Sequence, residues 1–189
     1  MARGIILAAG TSSRANTNKL LLEYEGLPLI VHAIRGMLPF VYEIVVVTGR
    51  YHDELTFALK DVKGIRIVKN PNYEKGMFSS LLTGLHYFDD DVLILPGDCP
   101  FVSEMTYEQI LETQANIVVP EYKGIKGHPM LIRKPLLWQL RQVNIDSNLR
   151  AFRDETGYQT IRVDDPNIIV DIDTIGDYQT YVKEHTKGS

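Results

Sequence analysis

Short, densely apolar runs alternate with segments of helical spacing along most of the chain. GIILA (4–8), EIVVVT (43–48), IRIVK (65–69), VLILP (92–96) and NIVVP (116–120) are rich in Val, Ile and Leu. Runs that are apolar at nearly every position suit parallel strands covered on both faces. Between them, LIVHAIRGML (29–38), YHDELTFALKDV (51–62), MFSSLLTGLHYF (77–88) and MTYEQILETQ (105–114) return apolar residues at helical spacing. The alternation predicts right-handed βαβ units in a three-layer α/β domain with a mostly parallel sheet.

The later part is less regular. HPMLIR (128–133) predicts a strand, LLWQLRQV (136–143) and NLRAFRDE (148–155) predict helices, and TIRV (160–163) and IIVDID (168–173) predict strands. Thr174 with Asp177 suits the start of a last helix over 175–185. No repeat, low-complexity stretch or flexible linker interrupts the chain, so residues 1–189 are expected to form one domain, with 121–150 as a small flap on the substrate side.

Composition narrows the function classes. The 189 residues are 44% hydrophobic and 23% charged, as in an ordinary soluble globular domain. A net charge of −4 argues against broad neutralisation of nucleic-acid phosphates, so any anion must be met by local cations or metal. The single cysteine, Cys99, excludes an internal disulfide and fits a reducing cytoplasm. No apolar run is long enough to cross a membrane, and the apolar stretch before Gly10 is too short for a secretory signal.

In open α/β sheets ligands bind beyond the carboxyl ends of the strands. Two polar loops should converge there: the one after GIILA and GDCP (97–100) after VLILP. The first runs through small residues, Ala8, Ala9, Gly10, Thr11, Ser12 and Ser13, to two cations, Arg14 and Lys19. It lacks the Gly-Lys-Ser/Thr of a P-loop and the repeated glycines of a dinucleotide fingerprint. A bare backbone followed by separated cations suits a triphosphate, though a solvated βα connection has the same composition. Asp98 ends an apolar strand and is placed either to bind a hard cation or to close its own turn. In VDIDT (170–174), strand alternation would turn Asp171 and Asp173 to one face, where either could join Asp98 on Mg²⁺ or simply face solvent. Ser79 and Ser80 stand at a helix start, where hydroxyls cap helices or read a base edge. His128 stands at a strand entrance. Asp89-Asp90-Asp91 precedes its strand, on the far side of the sheet, and reads as a solvated turn.

Taken in order, LAAGTSSR (7–14), KLL (19–21), GLPLI (26–30), GMFSSLLTGL (76–85), LPGDCP (95–100), GHPML (127–131) and VDIDTIGDY (170–178) resemble the MobA-like nucleotidyltransferases, especially the molybdenum cofactor cytidylyltransferase branch. The resemblance implies a Rossmann-like fold and Mg²⁺-dependent transfer of a nucleoside monophosphate, CMP in this branch, from NTP to a phosphorylated pterin. It also implies that Ala8–Ser13, Arg14 and Lys19 hold the triphosphate, with Arg14, Lys19 and Asp98 as the catalytic set. Asp98 and Asp171 would bind Mg²⁺, Ser79 or Ser80 would lie near the base, and His128 and Arg150 would meet the acceptor. A molybdoenzyme or its maturation chaperone is the implied protein partner. Three departures stand out: Ala15-Asn16 where the family usually has Met-Gly, Ile145–Arg150 in place of Gly-Asp-x-Gly-x-Arg, and Cys99 where glutamine is frequent. Two other readings fit the same residues: transfer to a sugar phosphate, and a nucleotide-binding module without activity.

Overall fold

The computed structural model describes residues 2–10, 18–172 and 175–185. The chain runs β1 (Ala2–Ala8), β2 (Glu23–Tyr24), β3 (Leu27–Pro28), α1 (Leu29–Met37), β4 (Val41–Thr48), α2 (His52–Ala58), β5 (Ile65–Lys69), α3 (Met77–Leu85), β6 (Val92–Pro96) and α4 (Glu104–Glu112). It continues through β7 (Ile117–Tyr122), β8 (Ile125–Lys126), β9 (Met130–Ile132), α5 (Leu137–Arg141), α6 (Leu149–Thr156), β10 (Gln159–Arg162) and α7 (Ile175–His185).

The main sheet has the order β10-β7-β9-β6-β1-β4-β5, with β8 folded back on the end of β7. β1 is parallel to both β4 and β6, β4 is parallel to β5, and β7 to β10; β9 is antiparallel to β6 and β7. Over 4–8, 44–47 and 92–96 the central strands are apolar because both faces are covered. Ile5, Leu7, Val45, Val47 and Ile94 enter one apolar layer, closed by Leu81 and Leu85 of α3 and Leu137 and Leu140 of α5. Ile6, Ala8, Ile44, Val46, Leu93 and Leu95 enter the other, closed by Ile30, Ile34 and Met37 of α1 and by Tyr107 and Ile110 of α4. Each Val, Leu, Ile or Met side chain among them contributes on the order of 1.5–3 kcal/mol through burial. This is the three-layer α/β architecture that the alternation predicts.

Three expectations change. The middle of 121–150 is no flap, because β9 lies inside the sheet between β6 and β7. Only three residues long, β9 is recruited by two existing edges rather than by its own pattern. Of the strand expected over 168–173, the described residues 168–172 form none: Pro166–Ile169 is a 3₁₀ turn and 170–172 continue without a strand partner. The Asp165 carboxylate accepts from Asn167 N–H at 3.0 Å and nucleates the turn, overriding the β propensity of Ile168-Ile169-Val170. Asp173 and Thr174 lie outside the described residues. The Asp89–Asp91 turn does precede β6, yet it is ion-paired rather than merely solvated, with Arg3, Arg133, Lys134 and Arg141 around it. No helix among the described residues is long and apolar enough to cross a membrane.

Candidate active site at the carboxyl edge of the sheet

The loops after β1 and β6 leave the sheet side by side. Gly97 N–H donates to the Leu7 carbonyl at 2.9 Å, continuing the pairing past the end of β6. Ala8 and Ala9 are buried and Gly10 is exposed. The turn after β4 presses on the same loop: a Cβ at Gly49 would stand 2.8 Å from the Ala9 carbonyl oxygen, so only glycine fits. Thr11, Ser12, Ser13 and Arg14 lie outside the described residues. At Asn18 the chain enters a 3₁₀ turn, Lys19–Leu21, capped by the Asn18 side-chain oxygen, which accepts from Leu20 N–H at 3.3 Å. That turn packs Leu20 into the core beside Gly97 and aims Lys19 along the carboxyl edge.

There Lys19 Nζ meets Asp98 Oδ2 at 2.6 Å, with both side chains only partly exposed. A second connection arrives from the far end of the chain. Ile172 N–H donates to the Asp98 carbonyl at 3.1 Å, which brings Asp171 beside the GDCP turn. The Cys99 thiol donates to Asp171 Oδ1 at 3.0 Å and lies 3.9 Å from Asp98 Oδ1. One ligand atom from each of Asp98, Cys99 and Asp171 lies within 4.8 Å of the others. Two carboxylates at this spacing fit a hard divalent cation.

The approach of Asp171 is fixed from behind. Asp165 is buried and accepts from Ser103 N–H and the Thr106 hydroxyl, both at 2.8 Å, which ties its turn to the start of α4. Across from it, His128 N–H donates to the Ile168 carbonyl at 2.8 Å. A Cβ on Gly127 would come within 2.2 Å of that same carbonyl oxygen, so Gly127 is what lets the two segments touch.

Electrostatics follow from this crowding. Burial, then the Asp98 and Asp171 charges, push the Cys99 thiol well up, so it stays protonated. Burial also lowers the His128 pKa against the opposing pull of Asp171 and Asp98, leaving a neutral imidazole at pH 7.

The remaining candidates sit elsewhere. Ser79 and Ser80, in the first turn of α3, are buried, and both hydroxyls accept from the Asn70 side-chain amide, at 2.8 and 3.0 Å. Ser79 also donates toward the Asn72 and Gly76 carbonyls. Their hydroxyls therefore brace the loop from β5 to α3, and neither is open to a base in this arrangement. Arg150 is exposed on α6 and reaches Asp154 only at 4.0 Å. The structure thus brings Lys19, Asp98 and Asp171 together with His128 near them, and leaves Ser79, Ser80 and Arg150 outside that cluster. Sequence reasoning missed Cys99 and Asn70. An asparagine between a strand and a proline, as in Lys69-Asn70-Pro71, is the signal that marks Asn70 as a turn organiser.

The domain profile described as "MobA-like NTP transferase domain" matches residues 4–161. The chain belongs to the MobA-like NTP transferase family. A molybdenum cofactor cytidylyltransferase of Escherichia coli (strain K12) is 30% identical over 185 residues, covering 97% of this chain and 96% of the relative. A probable molybdenum cofactor guanylyltransferase of Bacillus cereus (strain AH187) is 32% identical over 133 residues, covering 68% of this chain and 65% of its own length. A solved nucleotidyl transferase from Methanothermobacter thermautotroptrophicus superposes with a TM-score of 0.83 at 24% identity, covering 100% of this chain and 99% of that one. Among MobA-like NTP transferases, this chain is thus a nucleotidyltransferase whose likeness to one relative runs almost end to end.

Proposed function

We propose that the protein transfers CMP from CTP to the phosphate of molybdopterin, or of its molybdenum form, and releases pyrophosphate. The observation that carries this reading is the 30% identity to a molybdenum cofactor cytidylyltransferase over 97% of the chain. The convergence of Lys19, Asp98 and Asp171 at one sheet edge supports it. Arg14 and Lys19 hold the triphosphate against the loop from Ala8 to Ser13, where backbone N–H groups add to the side-chain charge.

An oxygen of the acceptor phosphate attacks the α-phosphorus in line. A new P–O bond forms as the bond to the bridging oxygen breaks, and its electron pair leaves on pyrophosphate. A phosphate monoester is largely ionised near pH 7, so no side chain has to take its proton. What the chain supplies is orientation and charge. Asp98 and Asp171 are the residues that would hold Mg²⁺, and the ion when bound supplies positive charge beside the reacting phosphate.

Lys19, paired with Asp98 Oδ2, would exchange that contact for a phosphate oxygen when the triphosphate binds. The neutral His128 imidazole and Arg150 meet the acceptor. The head of α3, kept in shape by Asn70, Ser79 and Ser80, lies against the base. The buried lone thiol suits a reducing cytoplasm, where a molybdoenzyme or its chaperone would receive the product.

The test compares CTP, GTP, ATP and UTP by thermal shift with and without Mg²⁺, then follows pyrophosphate release with molybdopterin. At a hundredfold over Kd a ligand stabilises by about 2.7 kcal/mol, so preference for one base shows as a larger shift. A CTP preference with pyrophosphate release supports the proposal. A GTP preference moves the protein to guanylyl transfer, and release with sugar phosphates alone moves the acceptor. CTP binding without release for any phosphorylated acceptor reduces it to a binding module.

A further inference from the structure

We infer that the Cys99 thiol is a positioning residue that sets the Asp171 carboxylate opposite Asp98 before any cation arrives. The inference rests on the metal reading proposed above and goes beyond it by giving a role to a residue that the reaction does not use.

The two carboxylates are not held in the same way. Asp98 follows directly from a buried strand, and its Oδ2 is fixed by Lys19 at 2.6 Å. Asp171 is an exposed residue in a segment without a strand partner. Among the described residues the one hydrogen bond to its carboxylate is the Cys99 thiol at 3.0 Å. That donor stands on firm ground, because Cys99 is 0% exposed and packs in the apolar layer that also holds Leu95, Val102 and Tyr107.

The thiol thus acts as a fixed post for a side chain that would otherwise rotate freely. It also lies 3.9 Å from Asp98 Oδ1, so it stands between the two carboxylates while Lys19 holds Asp98 at Oδ2. Pre-orienting a ligand removes the ordering cost that a cation would otherwise meet on binding. A protonated thiol can do this only from outside the coordination sphere, with its hydrogen pointing at Asp171.

The test uses the full chain and Mn²⁺ alone, titrated by EPR of the free ion, for wild type, Cys99→Ala, Cys99→Ser, Asp171→Asn and Asp98→Asn. Cys99→Ala should weaken Mn²⁺ binding about tenfold and raise the half-saturating Mg²⁺ for pyrophosphate release in proportion, as loss of a ligand-orienting group does. Its KM for CTP at saturating metal should stay unchanged. Cys99→Ser keeps a donor of similar reach and should recover Mn²⁺ affinity to within about threefold of wild type, which packing alone would not produce. Far-UV circular dichroism melts of both variants check folding, and Cys99→Ser carries the test if Cys99→Ala does not fold.

Wild-type affinity in Cys99→Ala overturns the inference, as does a serine variant no better than alanine. Because the chain has one cysteine, a sulfur-to-metal charge-transfer band with Co²⁺ that disappears in Cys99→Ser would make Cys99 a ligand, and overturns it too. Wild-type Mn²⁺ affinity in Asp171→Asn and Asp98→Asn would instead remove the metal reading itself.

Discussion

Strand β6 carries aspartates beyond both of its ends, and the two sets are built differently. At the amino end, Asp89, Asp90 and Asp91 face Arg3, Arg133, Lys134 and Arg141. Asp91 is held hardest, with Arg133 Nη1 on one oxygen and the Lys134 backbone N–H on the other, both at 2.8 Å. At the carboxyl end, among the described residues, Asp98 pairs with Lys19 and Asp171 accepts from one thiol. Carboxylates matched by fixed cations have no use for a ligand, whereas two carboxylates against one lysine gain from a further positive charge. The first arrangement is a brace and the second is a site. Their separation by the length of one strand explains why an Asp-Asp-Asp run draws the eye in the sequence while the chemistry lies at a single aspartate past the other end.

The largest expected effect falls on the site and spares the fold. Asp98→Asn keeps the shape and removes the charge, so pyrophosphate release should fall about a thousandfold. The melting temperature should hold or rise, since a lysine can be re-solvated at this partly exposed edge. A variant with near-normal release would erase the distinction between the two ends.

Next comes Gly127→Ala, which breaks the support rather than the site. With a Cβ at 2.2 Å from the Ile168 carbonyl oxygen, one of the two backbones has to move. Overpacking of this kind costs about 1–3 kcal/mol. Because Ile168 leads into Asp171, Mn²⁺ affinity and melting temperature should fall together. A loss of stability with unchanged metal binding would show that Asp171 is placed by its contacts to Cys99 and Asp98 alone.

How much of this was legible depends on what each residue answers to. The central strands were readable because burial on both faces writes itself as unbroken Val, Ile and Leu, and β1, β4 and β6 all do so. The same property misled at 168–173, where Ile168 and Ile172 are buried by loops rather than by a ladder and the preceding Asp165 decides the backbone. β9 was readable as a strand, but its place between β6 and β7 was not, since pairing order depends on both neighbours. At the site, Asp98 and Lys19 follow from where their strand and loop must end. Ser79 and Ser80 were recognisable as a helix start, yet which way a hydroxyl faces depends on Asn70, nine and ten residues away. Nothing in the sequence marks Cys99 as a partner of Asp171, because their contact spans 72 residues.

The amino end gives the third effect. Asp91→Ala removes both of its 2.8 Å contacts, leaving Arg133 to the Leu111 and Thr113 carbonyls. The half-exposed setting limits the loss to about 1–2 kcal/mol. Pyrophosphate release at low temperature should match wild type, and a fall in release at unchanged stability would mean that the two ends communicate.

The smallest effect separates the two ends by pH. At the carboxyl end the group to follow is His128. Burial holds its pKa below the ordinary 6.5, with Asp171 and Asp98 only partly offsetting that push. In the unfolded chain the imidazole gains a proton as pH falls through 6.5, while in the fold it resists. The unfolded state therefore binds more protons in that window, and His128 lowers stability progressively as pH drops below 6.5, with nothing to lose above it. His128→Gln should flatten the acid limb of the stability curve and leave the neutral limb in place. A steeper acid limb in the variant would mean that the Asp98 and Asp171 charges outweigh burial at His128. The carboxyl end would then already hold its own cation at mild acid pH, and the contrast between brace and site would narrow with each step down in pH.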